Sequence, residues 1–310
     1  MKALILGAGG FVAHYLLEHI RKDYGWETYA TLLPSETLLT PTAGTYALDI
    51  LDAQAVEKLL AQIRPDYIFH LAAQSSVALA WKKPELTVEI NLVGTLHILE
   101  AMRRLGLSSR ILLIGSGEEY GDGEADATDE NAALHPKNLY AVTKAAQTMM
   151  GRLYAEAFRT GTIMVRPFNH IGPTQKPEFV MADFCRQIVQ IEKGGHPPVL
   201  RVGNLDARRD FTDVRDVVRA YTLLMGGGLC GEIYNVGSGR TVSIREILKL
   251  LLSMSEKEIT VEVDPEKFRP LDSKVLCADT GKLNRDTGWR PEIPLERTAA
   301  DTLRYWREIL

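Results

Sequence analysis

The chain has 310 residues, 45% apolar and 25% charged, a globular balance that excludes intrinsic disorder. Lys plus Arg number 36 against 40 Asp plus Glu, a net charge of −4 without a basic run, which argues against nucleic acid or anionic membrane as partner. Cys185, Cys230 and Cys277 are widely spaced and form no C-x-x-C, which argues against disulfides and structural zinc and fits a reducing cytoplasm.

Ala3-Leu4-Ile5-Leu6 predicts a buried first strand, and the glycines that follow it argue against a signal peptide. No apolar run reaches the ~18 residues of a membrane span. The strand leads into Gly7-Ala8-Gly9-Gly10-Phe11-Val12-Ala13 and then a helix. Glycines at such a junction let the backbone approach a pyrophosphate, held by the free amides of the helix N-terminus. Gly7, Gly10, Phe11 and Val12 are therefore candidate dinucleotide contacts, with a ligand-free tight turn as the bland alternative. Thr28–Thr31 predicts the next strand, continuing into Leu32-Leu33-Pro34-Ser35-Glu36. An acidic residue at that strand's end selects NAD, a basic one NADP. Glu36 lies beyond Pro34 and is expected to turn away, and no Lys or Arg occurs between Lys22 and Lys58. Use of both NADPH and NADH within about tenfold follows.

Ala53–Ile63 predicts a helix and Tyr67–His70 a strand; Val88–Leu105 predicts a helix and Ile111–Ile114 a strand. Ser116 lies just past that strand, at the carboxyl edge of the sheet, where a hydroxyl can donate to a substrate carbonyl. Its bland alternative is a turn serine. Pro136–Phe158 predicts a long helix carrying Tyr140-Ala141-Val142-Thr143-Lys144. Residues i and i+4 share a helix face, so phenol and ammonium address one ligand. The lysine charge is expected to draw the tyrosine pKa down from about 10 toward the working range. Thr162–Val165 predicts a further strand. Alternating strands and helices imply right-handed crossovers and a parallel sheet covered on both faces.

After Val165 the rhythm breaks at Pro167, Gly172, Pro173, Pro177, Gly194, Gly195, Pro197 and Pro198. A helix is expected over Met181–Lys193 and a strand over Glu232–Val236, with charged, loop-rich sequence filling much of the remainder. Arg209 and Arg269 suit a diphosphate, because a guanidinium donates two parallel hydrogen bonds and stays charged. A structural Arg209–Asp210 ion pair is the alternative for the first. His170 is expected to support its loop, and the absence of a His cluster argues against a metal.

Together, the glycine turn, Ser116, Tyr140 and Lys144 resemble the extended short-chain dehydrogenases/reductases, with Ala13 in place of that family's last glycine. Asp49 in Leu48-Asp49-Ile50, Leu71-Ala72-Ala73-Gln74 and Asn91 in Asn91-Leu92-Val93-Gly94-Thr95 extend the resemblance. Arg166-Pro167-Phe168-Asn169-His170-Ile171-Gly172-Pro173, the stretch from Val202 to Asp213 and Arg269-Pro270-Leu271-Asp272 place it in the nucleotide-sugar branch. Within that branch it is most similar to the reductases of GDP-linked 4-keto-6-deoxy sugars. The resemblance implies a doubly wound parallel sheet of the Rossmann type with a smaller, interleaved C-terminal substrate domain. Residues 1–168, 212–238 and about 273–279 would bind the dinucleotide, and 169–211, 239–272 and 280–310 the sugar nucleotide.

It further implies a Ser116–Tyr140–Lys144 triad. Asp49, Ile50, Leu71, Ala72, Ala73 and Asn91 would join the glycine turn in holding NADP(H) or NAD(H), and no metal is implied. Ser116, Glu118, Asn169, Val180, Arg209, Arg269 and Asp272 would hold the substrate, and a homodimer would form through the helices near 88–105 and 137–158. Related GDP-mannose 4,6-dehydratases need a carboxylate base two residues after the triad hydroxyl, and Glu118 stands there, so that reading stays open. Against it, the chain is short for that group and has no basic stretch before Gly203-Asn204. A non-catalytic dinucleotide sensor is the remaining alternative, opposed by an intact triad.

Overall fold

Seven apolar segments pair side by side in the computed structural model, which describes residues 1–122, 127–268 and 275–310. They are β1 (Lys2–Leu6), β2 (Glu27–Leu32), β3 (Gly44–Ala47), β4 (Tyr67–His70), β5 (Arg110–Ile114), β6 (Gly161–Pro167) and β10 (Ile233–Val236). Their order is β10-β6-β5-β4-β1-β2-β3, and every pairing is parallel. The chain builds outward from β1 to β3 and then returns to the other side of β1 with β4. Strand order thus reverses between β1 and β4, which opens a crevice at their carboxyl ends.

Helices cover both faces because successive strand residues point to opposite sides. Ala3 and Ile5 pack with α1 (Phe11–His19) and α8 (Val214–Gly227) in one core. Leu4 and Leu6 pack in another with α2 (Ala53–Ile63) and α5 (Thr95–Arg104). α3 (Val77–Lys82) and α4 (Pro84–Val88) precede a π-helical turn over Glu89–Gly94 that runs into α5. The single helix expected over Val88–Leu105 is present, its α-helical hydrogen bonding interrupted only by this π turn. At Gly94 a Cβ would collide with the Ile50 side chain, so this turn presses on the segment after β3. α6 (Leu139–Phe158) starts at Asn138, whose side chain accepts the Ala141 N–H at 2.8 Å, an N-cap that places Tyr140 in the first turn.

A second core lies beyond the crevice. It joins α7 (Val180–Glu192), β8 (Val199–Val202), β9 (Arg208–Asp213), α9 (Ile244–Ser253) and α11 (Leu295–Ile309). β7 (Asn169–Ile171), β11 (Thr241–Ser243) and β13 (Val275–Leu276) pair with β9, and β12 (Thr260–Val263) pairs with β8. α10 (Gly281–Thr287) then leads to Trp289, which returns to the first core with Ala3 and Leu16. The remainder after β10, expected to be loop-rich, carries the helices α9, α10 and α11. Its helices are amphipathic, with Arg and Glu outside and Thr298, Ala299, Leu303 and Trp306 of α11 inside.

Candidate active site

The β1–α1 turn is shaped by two glycines. Gly7 has a left-handed φ of 81°, and a Cβ there would stand 2.6 Å from the backbone of Ala72, so only glycine brings the turn this close to the segment after β4. Gly10 caps α1 and, having no side chain, leaves its first-turn amides to a ligand. Gly7, Gly10, Phe11 and Val12 line a cavity of about 290 Å³ together with Leu71 and Ala73. Thr31 ties the turn to β2, accepting the Gly7 N–H on its hydroxyl at 3.2 Å and the Ala8 N–H on its carbonyl at 2.8 Å. These features fit a dinucleotide whose pyrophosphate lies on α1.

Glu36 does not turn away as expected. Leu33-Pro34-Ser35-Glu36 closes as a turn, with the Glu36 N–H on the Leu33 carbonyl at 2.9 Å, and the carboxylate folds back to accept the Leu33 N–H at 2.9 Å. It covers Gly9, where a Cβ would meet the carboxyl carbon at 2.6 Å. An exposed negative charge therefore stands at the end of β2, beside the glycine turn.

Ser116, Glu118, Tyr140 and Lys144 line the same cavity. Ser116 follows β5 and caps a 3₁₀ turn (Gly117–Tyr120), its hydroxyl accepting the Glu118 N–H at 3.1 Å. Lys144 lies one turn after Tyr140 on α6, its Nζ 5.9 Å from the phenol ring centre. The ammonium donates to the Ile114 carbonyl at 2.8 Å and to Gln147 Oε1 at 2.9 Å, which leaves one of its three N–H bonds for a ligand. Burial pushes Lys144 down to about 8, opposed by the negative charge of Glu119.

Tyr140 departs from the expected direction. Burial pushes its pKa up, and its hydrogen bond with the Ser116 hydroxyl only partly offsets this. Desolvation and the negative charges of Glu118 and Glu119 all disfavour the phenolate, so the shift runs toward the phenol.

A second compartment of about 600 Å³ shares Ser75, Val77, Asn169 and Phe179 with the first. Val180 and Arg209 line it, from the start of α7 and from β9. Arg209 does not take up Asp210 as a structural pair. Asp210, on the opposite face of the strand, accepts from Ser238, Gly239 and Ala278 at 2.5–3.1 Å. His170 stacks on Phe11 with ring centres 6.1 Å apart, which fits its expected supporting role.

Other positions expected near the cofactor do not line the first cavity. Asn91 is buried, and its amide is committed to the Gln74 backbone at 2.9 and 3.1 Å and to Thr143 at 3.0 Å. It therefore shapes the Leu71–Gln74 segment rather than facing the cavity. Ala72 backs Gly7, Ile50 packs on Gly94, and Asp49 accepts the Leu51 N–H at 3.0 Å in an exposed turn. Arg269 and Asp272 lie outside the described residues. Phe179, Gln175 and Tyr221 line the first cavity without having been anticipated. Tyr221 lies on α8, whose apolar spacing of Val217, Val218, Tyr221 and Leu224 was the available signal.

The sequence profile of the GDP-mannose 4,6 dehydratase family matches residues 4–302. A GDP-6-deoxy-D-mannose reductase from Pseudomonas aeruginosa is 34% identical over 307 residues, covering 98% of this chain and 97% of that protein. The solved structure of RMD from Pseudomonas aeruginosa complexed with NADPH superposes with a TM-score of 0.88 at 32% identity, over the whole of both chains. A UDP-glucose 4-epimerase from Thermus thermophilus in complex with NAD superposes with a TM-score of 0.90 at 28% identity, again over both whole chains.

Proposed function

The chain belongs to the GDP-mannose 4,6 dehydratase family, among the extended short-chain dehydrogenases/reductases, and we propose that it reduces the C4 keto group of GDP-4-keto-6-deoxy-D-mannose to GDP-D-rhamnose. The observation that carries this reading is the convergence of the Tyr140 phenol, the Ser116 hydroxyl and the Lys144 ammonium on the cavity that also holds the glycine turn. A reductase needs an acid that enters the reaction with its proton, and Tyr140 is that group.

A reduced nicotinamide dinucleotide, when bound, would supply the hydride. Gly7, Gly10, Phe11 and Val12 hold the dinucleotide, and the free N–H of Lys144 anchors its nicotinamide ribose. Ser116 donates to the carbonyl oxygen as charge builds, and Tyr140 delivers the proton to that oxygen. Arg209 pairs with the diphosphate in the second compartment, lined by Asn169 and Val180, and Glu118 contacts sugar hydroxyls. In this reading residues 1–168, 212–238 and about 273–279 serve the cofactor, and the remaining segments the sugar nucleotide. We further propose a cytoplasmic homodimer with neither nucleic acid nor membrane as partner.

A dehydratase reading is favoured by one observation: Glu118 lines the cavity two residues after Ser116. Incubation with GDP-4-keto-6-deoxymannose and NADPH, with the product sugar identified by NMR, separates the two. The expected product is GDP-D-rhamnose, with little or no keto sugar formed from GDP-mannose alone. Robust conversion of GDP-mannose without reductant would reverse the order of the readings.

A further inference from the structure

One carboxylate that the reduction scheme leaves unused joins the segments bearing the reacting groups. Glu119 lies three residues after Ser116 and is fully buried. Its Oε1 accepts the Ser116 backbone N–H at 2.8 Å and the Thr148 hydroxyl at 3.1 Å, and its Oε2 accepts Arg166 Nε at 2.7 Å. The Ser116 N–H belongs to the turn that aims the Ser116 hydroxyl. Thr148 stands one helical turn beyond Lys144 on α6, and Arg166 lies in β6, which runs into Phe168 and Asn169 on the cavity wall. Arg166 also donates to the Tyr120 hydroxyl at 2.9 Å, and that hydroxyl to Asn235 Oδ1 at 2.8 Å. Gly115 makes room for the carboxylate, since a Cβ there would collide with Glu119 Oε1.

Stability is a poor explanation for this arrangement. Replacing a buried ion pair by apolar residues of similar volume is often neutral or stabilising. We propose that Glu119 is a positioning residue for the reduction, its carboxylate locking the Ser116 turn to the helix of Tyr140 and Lys144 and, held by Arg166, setting a negative charge beside them. The proposal rests on the reductase reading above. The charge raises the proton affinity of both groups. Other titratable groups facing them are Glu118 and Tyr221 near Tyr140 and His70 near Lys144; burial raises the pKa of Glu119 itself, opposed by Arg166, which Tyr120 also contacts.

The test compares Glu119→Gln and Thr148→Val with the wild type in the full-length protein. Glu119→Gln keeps the shape and removes the charge. It should lower kcat about tenfold or more, leave KM for the sugar nucleotide within about twofold, and move the alkaline limb of kcat to lower pH by about half a pH unit. The sign follows because losing a nearby negative charge lets Lys144 and Tyr140 release protons earlier. Thr148→Val keeps the charge and loosens one strut, so kcat should fall by about threefold while the limb stays in place. A Glu119→Gln limb that does not move, with activity lost only in proportion to unfolded protein, would overturn the proposal. So would full kcat in Thr148→Val, which also decides the matter if Glu119→Gln fails to fold.

An NMR titration of ε-¹³C-lysine, with the Lys144 signal identified by Lys144→Arg, needs no substrate. A lower Lys144 midpoint in Glu119→Gln supports the proposal even if the wild type proves unable to reduce the keto sugar. An unchanged midpoint counts against it in either case.

Discussion

Tyr140 and Glu36 are the two side chains whose surroundings most changed the expectation drawn from their sequence positions. Tyr140 was expected to be drawn toward phenolate by Lys144, and burial instead holds it as the phenol. Tyr140→Phe keeps the ring and removes the hydroxyl that carries the proton. It should cut kcat by roughly 10²–10⁴ while leaving the NADPH dissociation constant within about twofold, read by fluorescence titration. Near wild-type turnover would remove Tyr140 from the chemistry. Glu36 places its charge at the end of β2 but stands exposed, where water and salt screen it, so both cofactors should still be used within about tenfold. Glu36→Gln should raise the ratio of kcat/KM for NADPH over NADH several-fold. A fall in that ratio would mean the carboxylate does not face the 2′ position.

At the scale of elements, α6 carries both Tyr140 and Lys144, and its seat on the sheet depends on Gly151. A Cβ at Gly151 would stand 2.5 Å from Leu113 Cδ1 and 2.9 Å from the sulfur of Met164, so the helix approaches β5 and β6 across a bare backbone. Gly151→Val should destabilise the fold by about 1–3 kcal/mol through overpacking, with kcat falling alongside, measured by urea denaturation and steady-state rates. Unchanged stability would show that α6 can lift off without cost.

The same scale explains what was legible. Ala53–Ile63 was anticipated to its ends from apolar spacing, and Asp52 caps the helix there in the structure. The interruption over Glu89–Gly94 left no local signal, since it is associated with a packing contact on Ile50 more than forty residues earlier in the chain. α9 and α11 were passed over as loop because their charged outer faces outweighed an inner face that repeats at helical spacing. The site divides in the same way. Glycine turn, hydroxyl, phenol and ammonium announce themselves by type and spacing, whereas Asn91 and Glu36 depend on where a side chain turns.

For the whole molecule, the exposed apolar side chains are informative. Val93 and Leu96 stand on the turn before α5 and on α5 itself, and Val142, Met149 and Leu153 on neighbouring α6, all exposed. A second copy laid against these helices would bury them in the proposed dimer. Introducing Met149→Glu and Leu153→Glu together should yield a folded monomer by light scattering, and a dimer persisting in that variant would place the interface elsewhere. The first core has a consequence of another kind. It draws Ala3 and Leu16 together with Val217, Val236 and Trp289, so the earliest strand and helix wait for partners encoded near the other end. At about 5–20 residues per second of synthesis, that wait is roughly 15–60 s. Throughout that interval the part of this core that α8 and Trp289 complete stays open, although Ala30, Tyr67, Phe69 and Leu112 of the same core have already been made.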